Sequence, residues 1–167
     1  TTTAMATAGT IDFASGATAD IGSLTATGGT TTFASGSTGT IGSLLVDGGT
    51  ATLDGPTVGT ITVNDGQLGF NSTATELTVT GPLSTVTVTG PAATVDRATL
   101  LEGSMGTGAN ALTVNESIQI QDLQISTDGP AFAVSGDALT SFLTPRTVTV
   151  DGGTVSLQRS MPAGVSA

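Results

Sequence analysis

The sequence predicts an all-β fold, a single right-handed parallel β-helix with about 20 residues per rung. Two observations carry that expectation and composition supports it. Residues 9–28 (GTIDFASGATADIGSLTATG) and 29–48 (GTTTFASGSTGTIGSLLVDG) are identical at 12 of 20 positions, and a shorter copy follows at 49–66 (GTATLDGPTVGTITVNDG). Apolar residues fall at matched places in the copies, as stacking requires when each unit is too small to bury its own apolar face. Strand-favouring Thr and Val and turn-favouring Gly, Asp and Ser dominate, with 24 glycines and only 10% charged residues in the chain.

Residues 1–8 (TTTAMATA) alternate weakly and read as an N-terminal edge strand or cover. The regular rungs occupy 9–66. Phe13, Phe33 and Leu53 form one inward column, Ile21, Ile41 and Ile61 a second, and Leu24 and Leu44 a third, which the shorter third copy breaks. Strand side chains alternate faces, so Ile11 and Phe13 point one way, Thr10 and Asp12 the other. Three corners separate the strands of a rung: Ser15-Gly16, Gly22-Ser23 and Gly28-Gly29, repeated as Ser35-Gly36, Gly42-Ser43 and Gly48-Gly49. Three strands and three corners describe a triangular rung.

Irregular rungs follow over 67–158. Leu68 and Phe70, Leu77 and Val79, and Val86 and Val88 continue the inward alternation, and Val95, Leu100 and Leu101 prolong it. The Gly-Pro pairs at 55–56, 81–82, 90–91 and 129–130 belong at corners, because proline cannot donate to a ladder. SMGTGAN (104–110) reads as a loop outside the stack. Strands return at 111–126, with inward pairs Leu112/Val114, Ile118/Ile120 and Leu123/Ile125, and again at AFAV (131–134). DALTSFL (137–143) is the one segment that reads as helix, capped by Asp137 and stopped by Pro145, with a bulged loop as the alternative. TVTVDGGTVSLQ (147–158) reads as two strands about a turn, and 159–167 as a tail or cap. Of the phenylalanines, Phe13 and Phe33 are placed by the repeat, whereas Phe70, Phe132 and Phe142 are not.

A length of 167 residues suits one domain, about eight rungs in a stack roughly 40 Å tall at the usual strand spacing. The chain carries 13 acidic residues against three arginines, Arg97, Arg146 and Arg159, with a net charge of −10. That charge repels phosphate backbones and anionic lipid, so neither nucleic acid nor membrane is an expected partner. No apolar run approaches the roughly 18 residues of a membrane span. The chain begins at Thr1 rather than Met, as expected of a processed product or an excised segment. Without cysteine there is no disulfide framework.

Missing residue types narrow the chemistry. With no histidine, cysteine or lysine, Ser-His-Asp, Cys-His and lysine-assisted nucleophiles and ordinary zinc sites are excluded. Carboxylates remain. Asp12 and Asp20 share a rung, but their counterparts are Thr32 and Thr40, so no triad of carboxylates gathers in register. No catalytic, cofactor-binding or metal residue is assigned, and no cofactor is expected; calcium is the one ion for which Asp-Gly corners offer oxygen ligands. GGTATLD (48–54) is only loosely like the calcium-binding nonapeptide, with Ala51 in place of a glycine and Asp54 one position late. Asn71-Ser72-Thr73 and Asn115-Glu116-Ser117 fit the glycosylation acceptor pattern without further support. Without Trp or Tyr, the flat platforms usual in sugar binding are missing. Thr-x-Thr pairs at 50–52, 60–62, 78–80, 85–87–89 and 147–149 raise an ice-binding array, but Thr10 is paired with Asp12, which interrupts it.

The Gly/Thr rhythm of GGTATLDGPTVGTITVNDGQL (48–68) resembles the β-strand repeats of bacterial autotransporter passengers and related surface β-helix proteins. The resemblance covers residues 9–90 best. It implies export, display at the cell surface and a structural or adhesive role, and it implies no catalytic residue. The aromatic-rich translocating barrel of autotransporters is not in these residues. Phage fibres and tailspikes also use stacked β folds of this composition. The functional expectation is therefore a non-enzymatic, extracellular or surface building block that self-assembles into a homo-oligomer, lattice or filament. Alternatives are an adhesin, a virion fibre or decoration component, an ice-binding protein and, last, a polysaccharide-degrading enzyme.

Overall fold

A computed structural model describes residues 2–127, 132–134 and 139–151 of the chain. Among the described residues there is no helix, and thirteen strands join in one parallel sheet wound as a β-solenoid. The register defines three faces. The first face stacks β2 (Thr10–Phe13), β4 (Thr30–Phe33), the starts of β6 (Thr50–Asn64) and β7 (Gln67–Thr80), and β8 (Thr85–Val88). It continues through β10 (Ser104–Gly108) to the ends of β11 (Leu112–Thr127) and β13 (Leu139–Asp151). The second face runs from the starts of β3 (Thr18–Thr27) and β5 (Thr38–Asp47) through β6 and β7. It then passes to β9 (Thr94–Leu100), the start of β11 and β12 (Phe132–Val134). The third face begins with β1 (Thr3–Ala6) on the end of β3 and descends to the start of β13 on the middle of β11.

Inward side chains meet their register partners and form continuous columns. Phe13, Phe33, Leu53, Phe70 and Val88 form the aromatic column, with the Phe13 and Phe33 rings stacked 4.3 Å apart and 7° from parallel. Phe33, Leu53 and Phe70 are fully buried. Burying such a side chain stabilises the fold by roughly 1.5–3 kcal/mol. Phe70 and Phe132, which the repeat does not place, are both core residues. The side chain of Phe142 lies outside the described residues.

Ile61 does not stack under Ile41. Val58 takes that place, and Ile61 sits under Leu44, so the Leu24/Leu44 column is not broken. Phe33 pairs with Leu53 at a spacing of twenty, but Thr40 pairs with Thr57 at seventeen. The chain has shed three residues at one corner, and each face then resumes in phase. Corners absorb length changes because nothing needs to stack there, whereas a shift within a face would turn every apolar side chain outward.

The segment 104–110 is not a loop outside the stack. Ser104–Gly108 is β10, with Met105 buried between Val86 and Ile125. Its alternation of Met with small residues is a strand pattern that the surrounding glycines disguise. Residues 139–143 are not helical either. They belong to β13, where Leu139 through Phe142 pair with Ser117 through Ile120. Ladder partners on β11 outweigh a weak local cap, and Pro145 falls between the paired residues Phe142 and Thr147, where no ladder donor is needed. Gly81-Pro82 and Gly90-Pro91 lie at turns, and Gly55-Pro56 falls where β6 shifts register. Residues 128–131, 135–138 and 152–167, with the expected turn, tail and N-cap, lie outside the described residues.

Candidate functional site

Outward side chains share the register and form rows along the solenoid. On the first face one row reads Thr10, Thr30, Thr50, Gln67, Thr85, Ser104 and Gln124. Its neighbour reads Asp12, Thr32, Thr52, Gly69, Thr87, Gly106 and Ser126. Two threonine pairs therefore stack directly, at 30/32 and 50/52, before Gln67 and Gly69 interrupt the array. A shallow depression of about 290 Å³ follows, with Thr87, Ser104, Gly106 and Gln124 in its lining.

Asp12 and Asp20 are not brought together. Asp12 is exposed on the first face and Asp20 on the second. The Asp20 Oδ1 accepts from both the backbone N–H and the hydroxyl of Thr40, each at 3.1 Å. Asp54 accepts from the Asn71 amide at 2.9 Å, and Ala51 is fully buried, so GGTATLD acts as strand and corner. Asn71 also accepts from the Ala92 N–H at 2.9 Å, and Ser72 is buried and donates to the Pro56 carbonyl. Both ends of the Asn71 amide are thus engaged within the fold.

The same pairing recurs. Asp47 accepts from Asn64 at 2.9 Å and Asp96 from Asn115 at 3.1 Å. An amide beside each carboxylate supplies a donor and spares the repulsion that stacked aspartates would suffer. Asp65 departs from this pattern. It adopts φ of 50°, and its Oδ1 accepts the Leu83 N–H at 3.1 Å, closing the Gly81-Pro82-Leu83-Ser84 corner.

Among the described residues, the third face carries a charge constellation that sequence reasoning missed. Arg97 bridges two rungs, 2.6 Å from Glu76 and 2.8 Å from Glu116. Hydrogen bonding to Glu76 and then to Glu116 raises the guanidinium pKa further above its ordinary value. All three groups are exposed, so the bridge is a surface clamp of small energetic weight. A polar depression of about 170 Å³ adjoins it, with Thr78, Thr99 and Gln119 in its lining. The signal was hidden because Glu76 and Arg97 are 21 residues apart while Thr60 and Glu76 are 16 apart, so no fixed period aligns them.

Among the described residues, no three His, Cys, Asp or Glu side chains gather into a group able to hold a metal ion. The described surface offers rows of hydroxyls, locally neutralised carboxylates and the outer edge of the first described rung. At the first end, β1, β2 and the start of β3 each have a ladder partner on one side only. Ile11 and Phe13 are only partly buried there, and Met5 is 60% exposed.

Comparison with protein-family models, with curated proteins and with solved structures finds no match to this chain.

Proposed function

We propose that the protein is a non-enzymatic structural element, an extracellular or surface β-solenoid that assembles with further copies of itself through its ends. The observation that carries this reading is the unfinished aromatic column. Phe13 stacks on Phe33 from one side, yet Phe13 stays partly exposed while Phe33 is fully buried. A further rung would bury Phe13 and Ile11 and satisfy the free edge of β1. That edge, TAMA, has no lysine, proline or charge of the kind that blocks strand pairing. The resemblance of residues 48–68 to surface β-helix repeats agrees with this role. Adhesion and ice binding are weaker readings, since neither the interrupted threonine rows nor the shallow depressions converge on a ligand.

Light scattering over a concentration series, at neutral and acidic pH, tests the proposal. The intact chain is expected to gain mass with concentration. Lysines placed at Thr3 and Met5 should reduce that gain and leave the far-ultraviolet circular dichroism unchanged. An intact chain that stays monomeric under every condition would overturn the reading.

A further inference from the structure

The first described rung presents its free edge as a ramp. β1 lies on the end of β3, β2 on β4 and the start of β3 on β5, so the chain passes all three faces before it runs beneath β1. The edge drops by one strand spacing, about 4.8 Å, over that turn and leaves a single step at the corner between Ile21 and Ser23. Successive residues of a strand turn their N–H and C=O groups to opposite edges. The Gly9 and Phe13 carbonyls accept from Thr30 and Ala34, the Ala17 carbonyl from Thr38, and the Thr2 carbonyl from Gly22. Those residues face into the stack. Their neighbours therefore present backbone groups at the open edge: Thr3 and Met5 on β1, Thr10 and Asp12 on β2, Thr18 and Asp20 on β3.

We infer that this edge is a self-complementary interface, on which a second copy of the chain seats head to head about a two-fold axis. The inference rests on the assembly proposed above and names the partner and its orientation. A rotation preserves hand, so two such ramps brought face to face run parallel, and their steps interlock when the axis passes through β2 and the corner opposite it. β2 then pairs antiparallel with β2 of the second copy, and β1 with the start of β3 of the second copy. Opposed residues must both present free backbone groups and keep their apolar side chains on the inner face. On β2 this opposes Thr10 to Asp12 of the second copy and sets Ile11 against its own counterpart on the axis. Sliding by two residues instead opposes Asp12 to itself, or to Ala8 beyond the strand. On the other two faces Thr3 meets Asp20 and Met5 meets Thr18, with Ala4 over Ala19. Sliding there calls on Gly16 or Gly22, whose N–H groups already donate to Gly36 and Thr2. The chemistry matches as well as the register. Asp12 and Asp20 are the charges of this rung, and each faces a threonine, as Asp20 already faces Thr40 within the stack. The half-buried Ile11 gains an apolar cover, and Phe13 falls opposite Gly9, which has no side chain to obstruct the ring.

The chain has no cysteine, so single cysteines report the contact. Ile11→Cys should give a disulfide-linked dimer on mild oxidation, because residues facing each other in a non-hydrogen-bonded antiparallel pair lie about 4.5 Å apart at Cα, within disulfide reach. Thr87→Cys, exposed on the same face in the interior of the stack, should stay unlinked. A spin label on Thr10→Cys provides a second reading should a cysteine at position 11 disturb the rung. Pulsed electron resonance should give a separation below about 20 Å, since the labelled residues lie two places apart across an antiparallel pair. Head-to-tail stacking would instead set the labels roughly 30 Å or more apart, the height of the described rungs. Met5→Pro removes an N–H at the open edge and no bond of the solenoid. It should weaken association at least roughly tenfold in light scattering with an unchanged far-ultraviolet circular dichroism. A parent chain that associates without linkage at position 11 and without the short separation overturns the head-to-head interface, while assembly through the ends stands. A parent chain that stays monomeric, its edge covered by a different partner or by none, overturns both.

Discussion

The first two rungs repeat their sequence closely, yet the topmost of them is the least buried part of the core. The rungs over 67–127 scarcely repeat at all, and their inward positions are almost all closed to solvent. Ile11 and Phe13 are partly exposed, whereas Leu68, Phe70, Leu77 and Val79 are buried. Burial in a solenoid therefore comes from having a rung on both sides, and sequence identity between rungs records something else. The residues the first two copies share include their corners, ASG at 14–16 and 34–36 and IGSL at 21–24 and 41–44. Equal corners give equal spacing, and where a corner changes length the spacing moves from twenty to seventeen while the faces continue.

The largest effect expected from that difference separates an interior rung from a terminal one. Phe33→Asp puts an unpaired charge into a fully buried column and should cost more than about 4 kcal/mol, enough to unfold much of the stack. Phe13→Asp makes the same change one rung higher and should cost clearly less, because the ring is partly exposed. Thr32→Asp, outward and beside Asp12, should stay within roughly 1 kcal/mol. Urea midpoints rank the three. Equal losses for Phe13 and Phe33 would mean that the first rung is covered in solution.

The faces were legible in the sequence wherever alternation was unbroken. Every inward pair read over 111–126 is buried, because Ile, Leu and Val at period two leave no other face to bury. Reading failed where small residues carried a strand, as around Met105, and where a corner changed length, as before Val58. It also failed for the Glu76–Arg97–Glu116 clamp, since a row across unequal rungs has no spacing to search for. How carboxylates pair with amides was not legible, because each pair depends on register alone.

A second prediction contrasts corner and face through glycine. At Gly42 a Cβ would come within 2.5 Å of the Gly22 carbonyl oxygen, and at Gly59 within 2.4 Å of that of Gly42. Backbones stack so closely along this corner that no side chain fits, so Gly42→Ala should cost roughly 2–3 kcal/mol. At Gly69, in the middle of the first face, the nearest atom to a Cβ is a Thr52 side-chain atom at 3.5 Å. Gly69→Ala should be neutral or stabilise by about 0.5–1 kcal/mol, because glycine loses more conformational freedom than alanine on entering a strand. Thermal midpoints of the two variants give the comparison directly. A tolerated Gly42→Ala would show that the corners have room the faces lack, the reverse of what the spacing implies.

The smallest expected effect concerns two threonines that break the apolar columns from within. Thr31 is fully buried between Ile11 and Ala51 in the repeated part of the chain. Thr107 is buried in the irregular part, where β10 shifts register against β11 between Gly106 and Gly108. Neither hydroxyl has a hydrogen-bond partner. Valine has nearly the same shape, so Thr31→Val exchanges an unsatisfied buried hydroxyl for a methyl and should stabilise by about 1 kcal/mol. The same change at Thr107 should stabilise by a similar amount if the register shift holds the side chain inward as firmly as the regular ladder holds Thr31. Urea unfolding measures both, and a raised midpoint at constant slope isolates stability from a change in the unfolded chain. A gain at Thr31 with a loss at Thr107 would show that the irregular rung uses its hydroxyl, for instance on a buried water, and that only the repeated rungs are closed apolar stacks.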